Sequence, residues 1–357
     1  MNKQELFNLS IDKPDEKSFR LVKESWDKIS KPLDSLGDFE DVICRIGAIQ
    51  KSVSPSVIRK TLIVMCADNG IVSEGVSQSG SDITKAVAVA LGKGISSAST
   101  MAGKVGADVV TVDIGIDCND RIEGVLDRKV RKGTSDFLKE PAMSTEEALS
   151  AIEAGISLVK ELSEKGTDIL ATGEMGIGNT TTSTAVICAM LELDPSDVTG
   201  RGAGLSHEGL FRKIEVIREG LSKYSFNMES DKERAFEILR TLGGLDIAGL
   251  CGVCIGAAIY HVPVMLDGVI STCAALVANA LVPGVSEYMI ASHSGREKGN
   301  IFTLSALGLK PLMNGNLALG EGTGALMAFT LLDVAMDFYY NAAKFADYEI
   351  DDYERFD

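Results

Sequence analysis

The feature that most constrains this chain is a recurring unit. A short apolar run of β-forming residues ends in Gly or Asp-Gly, and a helical pattern follows. The runs are KTLIVMCA at 60–67, DVVTVDI at 108–114, 167–172, VPVML at 262–266 and 288–291. They lead into Asp68-Asn69-Gly70, Gly115, Gly173, Asp267-Gly268 and Ser292-His293-Ser294. Helical periodicity covers 84–105, 145–165, 180–191, 208–223, 231–242, 247–260 and 271–281. Ser144 and Glu147 stand at capping-box spacing ahead of the second of these. Such alternation dictates an α/β fold, a Rossmann-like, mainly parallel sheet with helices on both faces. Ligands of such sheets bind beyond the carboxyl ends of the strands, where these polar turns lie. Further helical patterns at 18–29, 38–52 and 324–345 flank the alternating part. They predict a small helical lobe from residues 1–60 and 325–357 beside a large α/β domain of 61–324.

Length and charge narrow the function. A chain of 357 residues can bury a large core without a metal or disulfide staple. Lys plus Arg is 35 and Asp plus Glu is 51, a net charge of −16, which repels nucleic acid and anionic membranes. The first twenty residues, MNKQELFNLSIDKPDEKSFR, hold no apolar signal core, and the seven cysteines fit reduced, buried thiols. A cytoplasmic protein is expected. Cys251-Gly-Val-Cys254 lies in an apolar helical pattern and reads as core packing. Stretches 247–266 and 268–286 carry no Asp, Glu, Lys or Arg, yet Gly, Ala, Ser and Cys dominate them, which favours buried core over a membrane hairpin.

Three glycine-rich segments carry chemistry. GEMGIGNTTT at 173–182 follows a strand and opens a helix. Its glycines allow close backbone approach, and its hydroxyls sit at the positive end of a helix, as in a phosphate cradle. A glycine-rich turn with a threonine cap is the equal alternative. Glu174 is the odd residue there, since a carboxylate beside a phosphate needs a role such as bonding a sugar hydroxyl. GRGAG at 200–204 precedes a helix bearing Arg212 and Lys213, and GEGTG at 320–324 places Glu321 between glycines as a candidate general base. The plain alternative for Glu321 is an acidic residue favoured at a helix start. Asp267 stands alone after its strand, without the second acid a pyrophosphate-using enzyme wants. The three His form no metal spacing, and no G-x-S-x-G elbow is present.

Together these segments resemble the nicotinate-nucleotide–dimethylbenzimidazole phosphoribosyltransferase family, which activates the lower ligand of cobamides. The resemblance runs through LDSLG at 33–37, MCADNG at 65–70, EGV at 74–76, VDIGI at 112–116 and the 173–181 segment. It continues through GRGAG at 200–204, Gly243-Gly244, VMLDG at 264–268, Ser292-His293, EKG at 297–299 and LGEGTG at 319–324. It implies transfer of phosphoribose from nicotinate mononucleotide to an aromatic base, giving an α-ribotide. The pyridinium leaving group already carries positive charge, so no pyrophosphate, metal or other cofactor is implied. Glu321 is then the base, and Glu174 a second carboxylate on the ribose side. The donor site is implied at Gly176, Gly178, Asn179, Thr180, Thr181, Gly202, Lys213, Asp267, Gly268, Ser292, Gly320 and Gly322. The acceptor pocket is implied at Ser77, Ser79, Val87, Met175 and Leu319. The family forms homodimers. Two positions depart from it: many members have His at Asn69, and those using dimethylbenzimidazole often have Gln at Val87. The acceptor therefore stays open among dimethylbenzimidazole, other benzimidazoles, purines and phenols. A phenol-type or NAD-using member acting with a partner subunit, or a non-catalytic nucleotide-binding module, is the competing reading.

Overall fold

The structure, a computed structural model, describes residues 1–202 and 204–355. Ala203 of the 200–204 segment and the last two residues of the acidic tail lie outside them. Seven strands form one sheet: β1 Lys60–Ala67, β2 Ala107–Gly115, β3 Leu126–Asp127, β4 Ile169–Met175, β5 Val264–Leu266, β6 Met289–Gly295 and β7 Pro311–Leu317. Every pairing is parallel and the order is β3-β2-β1-β4-β5-β6-β7. The direction of winding reverses between β1 and β4, where Met65 pairs with Glu174 and Cys66 with Met175. An open α/β sheet leaves its ligand crevice at such a reversal.

The eight buried residues of β1 explain why the sheet is central. Successive side chains point to opposite faces. Ile63, Met65 and Ala67 join one hydrophobic cluster, while Leu62, Val64 and Cys66 join the other. On the first face the helices Thr145–Glu164 and Leu245–Ile259 cross closely enough that a Cβ on Gly155 would lie 2.2 Å from the Gly249 carbonyl. The same crossing explains the glycines of the apolar CGVCIG stretch, where a Cβ on Gly252 would lie 2.0 Å from the Ile152 carbonyl and one on Gly256 3.0 Å from Val159 Cβ. Its cysteines are buried and free, as are the other five. On the second face, helices from both chain ends meet. Trp26 packs against Phe338 and Tyr339, and an isolated bridge joins Ile29 to Lys344.

Several elements differ from the sequence reading. The helix expected over 84–105 is two, Asp82–Gly92 and Ser97–Val105. Gly94 at φ +70° and the Ser96 cap separate them. The edge strands β3 and β7 and the helix Lys298–Leu307 have no counterpart in the sequence reading. β7 begins with Pro and contains Asn-Gly-Asn, which only an edge strand tolerates. Among the described residues no helix is long and apolar enough to cross a membrane. The uncharged stretches are instead the helices Leu245–Ile259 and Val269–Leu281 with β5 between them.

Candidate active site

The carboxyl ends of β4, β5, β6 and β7 enclose a cavity of about 250 Å³. Glu174, Met175, Gly176, Asn179, Thr180, Gly202, Asp267, Gly268, Leu319, Gly320 and Glu321 all line it, together with His293. On the other side of the 176–180 loop a smaller hollow of about 70 Å³ is lined by Ser77, Gly178, Arg201 and Lys213. The two share Gly176, Asn179, Thr180 and Gly202, so one groove wraps the loop. Residues far apart in the chain thus converge because the parallel sheet delivers every strand end to one edge.

Glu321 sits at the turn from β7 into the helix Thr323–Asn341. Gly320, Glu321 and Gly322 all take positive φ, +85°, +57° and +86°. For Glu321 this left-handed backbone costs about 1–2 kcal/mol. Two anchors hold the turn. The Ala98 amide, at the start of the helix Ser97–Val105, donates to Glu321 Oε2 at 3.1 Å. The buried Asp267 carboxylate accepts from the amides of Gly322 at 3.2 Å, Gly324 at 2.8 Å and Ala325 at 3.2 Å. Asp267 therefore serves the backbone beneath Glu321 while also facing the cavity.

Beside this turn, Glu174 lies near the end of β4, its Oε1 2.7 Å from where a Cβ on Gly320 would stand. The Asn179 Nδ2 donates to its Oε2 and, at 3.1 Å, to Oδ2 of the fully buried Asp246. Burial pushes the Glu174 carboxyl up to about 8, the nearby Asp246, Asp267 and Glu321 adding to it against the Asn179 bond. Asp246 is pushed up to about 6, again chiefly by burial. In the smaller hollow the buried Lys213 Nζ donates to Thr180 Oγ1 at 2.8 Å. Burial lowers this ammonium to about 8, opposed by Glu297. The helix Asn179–Leu191 opens at Gly178, φ +93°, with no side chain capping its first turn, which leaves a positive end facing the groove.

Other expected site residues lie away from the groove lining. Thr181 is fully buried behind the loop. Ser292 is also fully buried; its Oγ donates to the Leu266 carbonyl at 2.5 Å and meets His293 Nδ1 at 2.8 Å. Val87 packs among the second hydrophobic cluster, and the Ser79 amide donates to Ser77 Oγ at 3.2 Å. Gln78 turns to the Gly204 carbonyl. Asp246 is an addition the sequence reading lacks, and Glu297, read there only as part of the EKG motif, joins the cavity lining. Asp246 opens the apolar helix as its only charge, a pattern that also suits an ordinary acidic helix start. Glu297 accepts from the Gly202 amide at 3.2 Å, a contact no sequence pattern reveals.

Known proteins share this fold and much of this sequence. A family model described as phosphoribosyltransferase matches residues 11–350. A nicotinate-nucleotide–dimethylbenzimidazole phosphoribosyltransferase of Acetivibrio thermocellus is 43% identical over 334 residues, 94% of each chain. The enzyme of that name from Clostridium acetobutylicum is 41% identical over 340 residues, 95% of this chain and 96% of its own. The crystal structure of CobT from Thermus thermophilus superposes with a TM-score of 0.87 at 34% identity, covering 94% of this chain and 99% of that one. With the parallel sheet, the glycine loops and both carboxylates set in a match that spans nearly its whole length, the chain belongs to the nicotinate-nucleotide–dimethylbenzimidazole phosphoribosyltransferase family.

Proposed function

We propose that the chain transfers the 5-phosphoribosyl group of nicotinate mononucleotide to a lower-ligand base. The single observation that carries this reading is the convergence of Glu321 and Glu174 on one cavity beside an uncapped helix N-terminus with a buried lysine. The phosphate rests on the 176–181 loop near Lys213. The bond from C1′ to the pyridinium nitrogen breaks, its electron pair stays on nicotinate, and a ring nitrogen of the acceptor bonds to C1′ from the opposite face. The acceptor's other nitrogen gives its proton to Glu321. Gly320 and Gly322 keep side chains away from that carboxylate, and the Ala98 amide sets its direction.

Met175 and Leu319 form the acceptor side in this reading, with Ser77 in the adjoining hollow and Ser79 and Val87 behind the lining. Val87 offers no amide, and Gln78 is engaged at Gly204. That favours an acceptor bound by shape over one held by a side-chain amide, and phenols and unsubstituted benzimidazoles compete with dimethylbenzimidazole on this ground. The lobe of 1–60 and 325–357 presents Met327, Leu331, Val334 and Phe338 along one exposed helix face, which supports a homodimer. A cytoplasmic setting suits seven free thiols.

The test is nicotinate release from nicotinate mononucleotide with dimethylbenzimidazole, benzimidazole, adenine, phenol or p-cresol as acceptor. Release that requires one of them is expected. Release with none overturns the reading. Glu321→Gln should keep nucleotide binding while turnover falls roughly 100-fold, the scale of a lost positioned base; near wild-type turnover refutes the assignment.

A further inference from the structure

Asp246 contributes nothing to the cavity wall, yet the structure ties it to the wall's second carboxylate. Asn179 Nδ2 has two hydrogens. One goes to Glu174 Oε2 and the other to Asp246 Oδ2. The second Asp246 oxygen, Oδ1, accepts the Ile247 amide at 3.0 Å, so the carboxylate cannot turn away. It is packed from behind as well: a Cβ on Gly176 would lie 2.9 Å from Asp246 Oδ2, and one on Gly244 would lie 2.4 Å from Oδ1. All three polar residues are buried.

We propose that Asp246 is a positioning residue: through the Asn179 amide it fixes Glu174 with Oε2 turned inward and a hydroxyl on the cavity-facing Oε1. The inference rests on the phosphoribosyl-transfer reading. An amide nitrogen only donates, so both carboxylate oxygens it meets must be acceptors. A carbonyl oxygen accepts more strongly than a hydroxyl oxygen, so the Asn179 bond favours the proton of a neutral Glu174 on the other oxygen, Oε1, the atom that a Cβ on Gly320 would approach to 2.7 Å in the cavity. Two buried carboxylates sharing one donor cannot both ionise freely. The groups facing the pair are acidic too: Asp267 and Glu321 toward Glu174, and Asp68 toward Asp246. The thiols of Cys66 and Cys273 lie nearby as neutral groups. Both carboxyls are raised by burial, but the Ile247 amide holds charge on Asp246, which favours the proton on Glu174, in keeping with the values of about 8 and about 6. Glu174 then serves the reaction as a donor to a ligand oxygen, and Glu321 as the acceptor of a proton. The two carboxylates split the work.

Two measurements test this. Infrared titration of the whole protein should show a protonated-carboxyl band at pH 7 that is absent in Glu174→Gln. In Asp246→Asn, with the opposing charge gone, that band should titrate about one pH unit lower. A band unchanged in Glu174→Gln, or unmoved in Asp246→Asn, overturns the proposal whether or not the protein turns over. The second measurement is kcat against pH with nicotinate mononucleotide and the best acceptor. Wild-type turnover should fall above about pH 8, Asp246→Asn should lose it about one unit earlier, and Glu174→Gln, a permanent donor, should show no such fall. A uniform drop in kcat at every pH for Asp246→Asn would mark Asp246 as structural only. Wild-type protein with no release from any acceptor, but with the expected infrared bands, would overturn the transfer reading and leave the positioning role standing.

Discussion

Asp267→Asn separates two roles for one residue. In the structure its Oδ1 accepts the Gly324 and Ala325 amides and its Oδ2 accepts the Gly322 amide, all in buried surroundings. Asparagine keeps one acceptor oxygen, which can stay on Gly324 and Ala325. Its NH2 then faces the Gly322 amide, donor against donor. One buried N–H without a partner costs about 1–3 kcal/mol, and exchanging a charged acceptor for a neutral one on the other two amides costs about 1 kcal/mol more. A total of about 3 kcal/mol is expected. At about 2.1 cal/mol/K per residue, 357 residues unfold with an entropy of about 0.75 kcal/mol/K, so Tm should fall by about 4 °C. Because the same amides support the Glu321 turn, kcat should fall with KM for the nucleotide little changed. Calorimetric melting and nicotinate-release kinetics read both quantities. A variant that melts with wild type and shows only a raised KM would refute the reasoning and make Asp267 a ligand contact alone.

Three further outcomes are expected. Glu321→Gly should be about 1 kcal/mol more stable than Glu321→Ala in denaturant titrations, because only glycine takes φ +57° freely and both variants lose the Ala98 bond; equal stability would mean the turn relaxes without Glu321. Lys213 is depressed to about 8, so at pH 8 about half the chains lack its charge, and a bound phosphate draws the proton back. Nucleotide binding at pH 8 should take up about half a proton, measured by calorimetry in buffers of different ionisation enthalpy; buffer-independent heats at pH 8 would place the phosphate elsewhere. Gly178→Val, at φ +93° with its Cβ 2.7 Å from Val72 Cγ2, should weaken nucleotide binding at least tenfold and spare binding of the free base; equal loss of both would move the cradle.

Much of the architecture is legible in the sequence because hydrophobic period and strand-end glycines are local signals. Lys60–Ala67 matches its reading to the residue, and Ser144 with Glu147 forms the expected capping box. The site is legible where glycines cluster, at 173–178 and 320–324. What escapes is what depends on distant partners. The 84–105 region keeps its apolar period across the break, and the interruption matters only because the second helix start meets Glu321 from 223 residues away. β7 looks like a loop in sequence and is a strand because β6 offers it an edge. Asp246 looks like a helix-start acid, and its tie to Glu174 exists only once Asn179 stands between them.

The burial of all seven cysteines has a kinetic consequence. A thiol reagent modifies a buried side chain only during moments when its segment opens, so each cysteine is a clock for its own part of the molecule. Cys44 times the helices at the chain start, Cys66 the middle of the sheet, and Cys251 and Cys254 the crossed helices behind it. Cys118 has 9% of its surface exposed and lies in a loop, so it should run fastest. Occupying the groove should slow the clocks nearest the bound nucleotide and leave the distant ones unchanged, giving a map of which parts of the chain the ligand steadies.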